Sequence, residues 1–157
     1  NFSFGQGETT VSPLQLAAAV NAIAAGGIYT APRLVYGYAD TNLDIEETEP
    51  HEGYKVMEVT TANRLRAYME STARYGTAMR GAPQNCTSGI KTGTAQTGQY
   101  DENGEELLNY WFSGFYPAQA PRYTVTVLQD GILKPELSSA AIFEKITEIL
   151  HVWDAAL

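Results

Sequence analysis

Two rhythms of apolar positions run along this chain of 157 residues. The helical rhythm comes first. Leu16, Val20 and Ile23 recur at i, i+4 and i+7 among closely packing alanines, and Ser12, Pro13 and Gln15 supply an N-cap, a first-turn proline and a capping box. The pattern predicts a helix over 12–26, ended by Gly26-Gly27. A second helix is expected over 60–75. Leu65, Met69 and Thr72 lie on one face, Glu70 and Arg74 are spaced for an i, i+4 pair, and Gly76 stops it. A third is expected over 139–153, with Ile142, Ile146, Ile149 and Trp153 as its apolar stripe.

The strand rhythm lies between the second and third helices. Lys91–Gln96 reads as a strand that leaves through Asp101-Glu102-Asn103-Gly104, and Asn-Gly is a strong hairpin signal. Tyr110–Tyr116 is the return strand, and a turn from Pro117 to Pro121 leads to Tyr123–Leu128, rich in β-branched and aromatic residues. Residues 28–38 look extended, with Pro32 excluding a central position in a sheet, and 77–90 reads as loop. The expected architecture is α+β: helices packed on a three-strand antiparallel meander, in one domain.

Composition narrows the classes. A chain of about 150 residues hides about 70% of its unfolded surface, so a core of its own is expected. Ten basic residues against eighteen acidic ones give a net charge of −8, which argues against nucleic acid and anionic lipid as main partners. Six acids crowd residues 40–52 without the glycine that an EF-hand loop requires, so a solvated loop or outer hairpin is expected there. The single cysteine, Cys86, excludes an internal disulfide and a cysteine-based metal site, and reads as a small, poorly exposed residue. His51 and His151 form no metal-binding motif, no run is long enough to span a membrane, and no signal peptide is visible. No metal and no organic cofactor are implied.

The chemistry concentrates in Ser88-Gly-Ile-Lys-Thr-Gly-Thr-Ala-Gln-Thr-Gly98, where a cation, hydroxyls and bare backbone suit the grip of a carboxylate. Two glycine patterns nearby fail as nucleotide sites. Thr10 stands where a dinucleotide fingerprint needs its third glycine, and Gln99-Tyr100 replaces the Lys-Ser/Thr of a P-loop. Ser88 to Lys91 formally reads Ser-x-x-Lys, but in an extended chain the two side chains stand roughly 10 Å apart by rise alone. Ser88 is therefore no nucleophile. On its own, Lys91-Thr92-Gly93-Thr94 is compatible with an ordinary edge strand guarded by lysine. Trp111 and Phe112 read as core, and Gln96 is compatible with either the cleft or solvent.

The neighbours change this picture. Gly5-Gln6-Gly7, Ser12-Pro13-Leu14-Gln15-Leu16-Ala17, Gly76-Thr77-Ala78, Lys91-Thr92-Gly93-Thr94-Ala95-Gln96 and Trp111-Phe112-Ser113-Gly114-Phe115-Tyr116-Pro117 follow one another in that order. Together they resemble the C-terminal half of the transpeptidase domain of penicillin-binding proteins, most like the class B type. Lys-Thr-Gly is that family's third motif. Its earlier motifs, the nucleophile-bearing Ser-x-x-Lys and Ser-x-Asn, both precede the Gly-Gln-Gly segment in the family and are not found here. The expectation is that residues 1–157 are the half that follows them.

The resemblance implies a reaction and roles. The family transfers an acyl group from a D-alanyl-D-alanine peptide through an acyl-serine to an amine on neighbouring peptidoglycan, and is acylated by β-lactams. Lys91 would belong to the polar network of the nucleophile and supply positive field for the substrate carboxylate. Thr92 and Thr94 would hydrogen-bond that carboxylate, Gly93 would admit the ligand to the backbone, Gln96 would line the cleft, and the Thr94 N–H would be an oxyanion donor. Alternation puts Lys91 on the opposite face from the threonines, so strand twist or an edge position must bring them to one cleft.

The implied partners are the stem peptide, β-lactams and the N-terminal half of the domain, at the outer face of the bacterial membrane. The family's five-strand sheet also implies that the 123–128 strand presents a bare edge here, open to self-association. The alternatives are a fragment of a serine β-lactamase or penicillin-sensing receptor, and a non-catalytic peptide-binding module.

Overall fold

Ser12 starts the first helix as its sequence demands. Its hydroxyl accepts from Gln15 N at 3.2 Å while Gln15 Oε1 accepts from Ser12 N at 2.8 Å, closing the capping box at the head of α1, Pro13–Ala24. The computed structural model describes residue 7 and residues 9–156, so Gly5 and Gln6 lie outside the described residues. Gly26, at φ 71°, turns the chain out of α1 in a conformation that residues with a side chain avoid.

Between the first two helices lie two short antiparallel ribbons. β1, Ile28–Tyr29, pairs with β4, Tyr54–Lys55, and β2, Gly37–Ala39, pairs with β3, Ile45–Glu47. The acidic stretch is thus an outer hairpin, as its composition requires. α2 runs Val59–Tyr75 and buries Ala62, Met69 and Ala73. Glu70 and Arg74 are not joined: the ion pairs among the described residues are Lys55–Glu58 and Arg122–Asp154. An exposed i, i+4 pair gains too little to hold two long side chains together.

A 3-10 turn, Met79–Gly81, interrupts the expected loop. The main sheet follows: β5, Gly89–Tyr100; β6, Glu106–Tyr116; β7, Tyr123–Ile132. Its order is β5-β6-β7, antiparallel throughout, so β5 and β7 are both edges. β5 and β6 are longer than their apolar cores suggest, because the hairpin extends to a tip capped by Asp101, whose Oδ1 accepts from Asn103 N at 2.9 Å and Glu105 N at 2.8 Å.

Helices cover both faces of the sheet. α1 and α2 pack on one face, where Val20, Ala24, Met69, Phe115 and Ala118 form a core cluster. α3, Ser139–Asp154, packs on the other, where Ile90, Phe112, Val125, Val127 and Phe143 form a second with Ala73 and Ala78. The expected stripe of α3 is only half right. Ile142 and Ile146 pack against the core, but Ile149 is 69% and Trp153 57% exposed, and the fully inward line is Ser139, Phe143 and Thr147. The reason lies on the sheet. Gly114 leaves a slot that the Phe143 ring enters, and that ring also meets Phe112 at 5.1 Å between centroids. The helix rotates to insert its one phenylalanine. At the far end, Tyr116 and Tyr123 stack and reach the last turns of α3, Tyr116 Oη to His151 Nδ1 at 2.7 Å and Tyr123 Oη to Asp154 Oδ1 at 2.5 Å. Half-buried Cys86 lies beside Tyr116, its thiol pushed up by burial.

Candidate active site

β5 is anchored at one end and open along its flank. Ile90 is fully buried in the α3-side core, and Gly89 lies flat against the Phe115 ring. From Lys91 onward the strand runs along the edge of the sheet. Thr77, just after α2, clips it there: its hydroxyl meets that of Thr92 at 3.0 Å.

A polar groove of about 890 Å³ runs along this edge, and Lys91, Thr92, Gly93, Thr94, Ala95 and Gln96 form one wall. All five residues singled out in the sequence are therefore brought together. The register explains how. Thr92 and Thr94 stand opposite Phe112 and Tyr110, while Lys91 and Gly93 stand opposite Ser113 and Trp111, on the other face. A central strand would keep these two sets apart. An edge strand exposes its flank to both, and the Lys91 ammonium folds over to donate to the Thr92 carbonyl. Lys91 is the sole charged side chain among the described residues lining the groove.

The opposite wall comes from the segment before α1. Thr9, Thr10 and Val11, with Gly7, face β5 across the groove. Sequence reasoning passed over Thr9 and Thr10, because nothing local distinguishes two threonines before a helix cap. It also treated Trp111 as core. Phe112 is buried, but Trp111 is half-buried and lines the groove at the position paired with Gly93. Gln96 lines the groove and is tied down: its amide donates to Glu106 Oε2 at 2.8 Å.

A second, apolar chamber of about 590 Å³ adjoins the groove between α1, α2 and the sheet. Leu16, Val20, Ile23, Leu65 and Met69 line it, and it meets the groove at Lys91, Gly93 and Trp111. The Ser88 hydroxyl is buried at the root of β5, with no hydrogen-bond partner among the described residues, and does not line the groove. Among the described residues, no group of three or more His, Cys, Asp or Glu is placed to hold a metal ion, and no helix is long and apolar enough to cross a membrane.

The sequence profile of the penicillin-binding protein transpeptidase domain matches residues 1–148. The chain belongs to this family. Stage V sporulation protein D of Bacillus subtilis is 33% identical over 133 residues, covering 82% of this chain and 20% of its own. The peptidoglycan D,D-transpeptidase PbpA of Mycolicibacterium smegmatis is 33% identical over 131 residues, covering 82% of this chain and 26% of its own. Among solved structures, the imipenem acyl-enzyme complex of penicillin-binding protein A from M. tuberculosis superposes with a TM-score of 0.78 at 27% identity, over 94% of this chain and 33% of that one. The fold is thus that of penicillin-binding protein transpeptidase domains. This chain spans 20% and 26% of the two curated relatives' lengths and 33% of the solved chain.

Proposed function

We propose that this chain is the Lys-Thr-Gly lobe of an extracytoplasmic, membrane-anchored peptidoglycan D,D-transpeptidase, corresponding to the C-terminal half of its catalytic domain. The observation that carries the reading is the convergence of Lys91, Thr92, Gly93, Thr94 and Gln96 on one edge-strand groove in which, among the described residues, the only charged lining side chain is a cation. Such a groove fits an extended peptide that ends in a carboxylate, because an edge strand pairs with an incoming backbone while the cation and hydroxyls hold the terminus. The family match and the relative named as a D,D-transpeptidase support the same reaction.

In this reading Lys91 attracts the carboxylate, and Thr92 and Thr94 hydrogen-bond it. Thr92 is held in position by Thr77. The Thr94 N–H stabilises the tetrahedral oxyanion, a contribution of roughly 3–4 kcal/mol for one such donor. The nucleophile is the serine of a Ser-x-x-Lys segment outside residues 1–157, and the apolar chamber that meets the groove at Lys91 is its seat. β-Lactams enter the same groove as mimics of the peptide terminus. Where β7 is not covered by the rest of the domain, its open edge pairs with a second copy.

Two measurements test the reading on the chain itself. Fluorescent penicillin should leave no SDS-stable label, because a serine mechanism needs nucleophile, base and oxyanion donors together. A covalent label would place a nucleophile within residues 1–157 and end the proposal. A peptide ending in D-alanyl-D-alanine should shift the amide resonances of Lys91–Gln96, and its C-terminal carboxamide should not. Lys91→Ala should weaken the acid peptide about tenfold or more, the loss expected for a hydrogen bond to a charged group. Equal binding of acid and carboxamide would remove the carboxylate grip from the argument.

A further inference from the structure

The β2–β3 hairpin does not line the groove, and its surface is of another kind. From residue 32 to residue 56 every residue except Gly37 and Thr48 is exposed, so both faces of the hairpin meet solvent. Large apolar side chains stand there nonetheless: Leu34 is 84% and Leu43 81% exposed, with Tyr36, Tyr38 and Ile45 exposed between them. A hollow of about 320 Å³ sets Tyr38 and Ile45 beside Asp40, Asp44 and Glu46. The arm is preformed. At its turn Asp40 Oδ1 accepts from Asn42 N at 2.8 Å and Asp44 N at 3.0 Å, and at its base Thr48 Oγ1 donates to Val35 O at 2.7 Å. Leu43, at the tip, holds φ 68°, in the left-handed region that ordinarily goes to Gly or Asn. Its exposure means that packing within the chain does not offset the cost of that conformation.

Charge selects what covers these side chains. No lysine or arginine occurs from residue 34 to 54, where Asp40, Asp44, Glu46, Glu47, Glu49 and Glu52 place −6 of the chain's net −8. A second copy would set like charge against like, and anionic lipid would be repelled. Burial against another part of the same polypeptide would strip water from six carboxylates. A basic segment of another protein is drawn in by the same charge and covers the apolar groups. The backbone offers it a seat. Asp40 N donates to Asp44 O and Thr48 N to Tyr36 O, so the hydrogen-bonded pairs are 36–48, 38–46 and 40–44. Ile45 and Glu47 therefore turn their N–H and C=O groups away from β2, toward the open edge of a two-stranded ribbon. Five of the six acids, from Asp44 to Glu52, lie along this edge or just beside it.

We propose that the β2–β3 hairpin is a docking arm for a basic segment of another protein, which adds as an extended strand along β3. Main-chain bonds to Ile45 and Glu47 give the register, lysine or arginine side chains meet the carboxylates, and aliphatic side chains cover Leu43 and Ile45. The proposal is independent of the groove and of the reaction carried out there.

The test titrates the 157-residue chain with heptapeptides of alternating Lys-Val, Lys-Ser or Glu-Val, followed by amide NMR. Both peptide ends are capped, so no terminal carboxylate is present to engage the groove. The Lys-Val peptide should shift the amides of residues 43–49 and bind about tenfold or more tightly than the other two, the gain from covering one or two aliphatic side chains, and added salt should weaken it. Leu43→Asn keeps the left-handed turn and should weaken Lys-Val several-fold while leaving Lys-Ser unchanged. Glu46→Lys combined with Glu49→Lys should weaken Lys-Val about tenfold. A strand bonds through alternate residues, so N-methylation of either the lysines or the valines should abolish binding and the other set should be tolerated; equal effects of the two overturn strand addition. Lys-Ser binding as well as Lys-Val would mean attraction by charge alone, and shifts confined to other parts of the chain would mean another site. Light scattering in which Leu43→Asn dissolves a dimer would make the occupant a second copy, and phosphatidylglycerol vesicles that shift the same amides would make it a membrane. Each of these results overturns the proposal.

Discussion

The rotation of α3 gives the most decisive test of how this fold is held together. Phe143 is 0% exposed, enters the slot left by Gly114 and packs on Phe112, whereas Ile149 is 69% exposed. Phe143→Ala removes a fully buried ring and leaves a cavity that Gly114 and the strands around it cannot collapse to fill. The expected cost is about 3–5 kcal/mol. For a chain of this size that corresponds to a fall in Tm of roughly 6–20 °C. Ile149→Ala removes three carbons, at about 0.8 kcal/mol each if fully buried. With under a third of that side chain covered, and solvent free to fill the space, its cost should be about 0.7 kcal/mol. Urea unfolding followed by circular dichroism measures both. Equal costs, or a loss below about 1 kcal/mol for Phe143→Ala, would mean that α3 faces the sheet with the stripe its isoleucines mark, and the account of the slot would be wrong.

Three further outcomes are expected. A Cβ at Gly89 would fall 2.1 Å from Phe115 Cζ, and Phe115 is buried, so Gly89→Ala should cost about 2–3 kcal/mol or more in urea unfolding, with partial rescue by Phe115→Leu; a neutral Gly89→Ala would contradict the packing at the root of β5. Burial, then Cys86, pushes Tyr116 up to about 12, and the bond to Asp154 raises Tyr123. A raised phenol pKa in the folded state means that the unfolded chain loses its proton first, so stability is fully present below about pH 10 and declines toward about pH 12. Urea midpoints at roughly pH 9 and roughly pH 11.5 should differ, and Tyr116→Phe should flatten the decline; a midpoint constant across that window would refute the linkage. The open edge of β7 should give concentration-dependent association by light scattering, and a strictly monomeric chain at high concentration would count against pairing through that edge.

Much of this protein was legible locally. Ser12, Pro13 and Gln15 specify where α1 begins, because a capping box needs only residues three apart. Alternation and Asn103-Gly104 specify the β5–β6 hairpin, because a turn and a period of two are properties of neighbouring residues. Lys91-Thr92-Gly93-Thr94, with its flanking segments in order, was enough to point to the family that the profile match establishes.

The remainder required the assembled molecule. Which stripe of α3 turns inward depends on a glycine on β6, distant in sequence and invisible to helix periodicity. That Lys91 and the threonines reach one groove depends on β5 being an edge, since alternation alone separates them. Thr9 and Thr10 acquire a place in the site only because the approach to α1 passes across from β5. Sequence encodes what residues do to their near neighbours through backbone geometry and spacing. Contacts between distant segments are decided by shape and register, and the groove is made of such contacts.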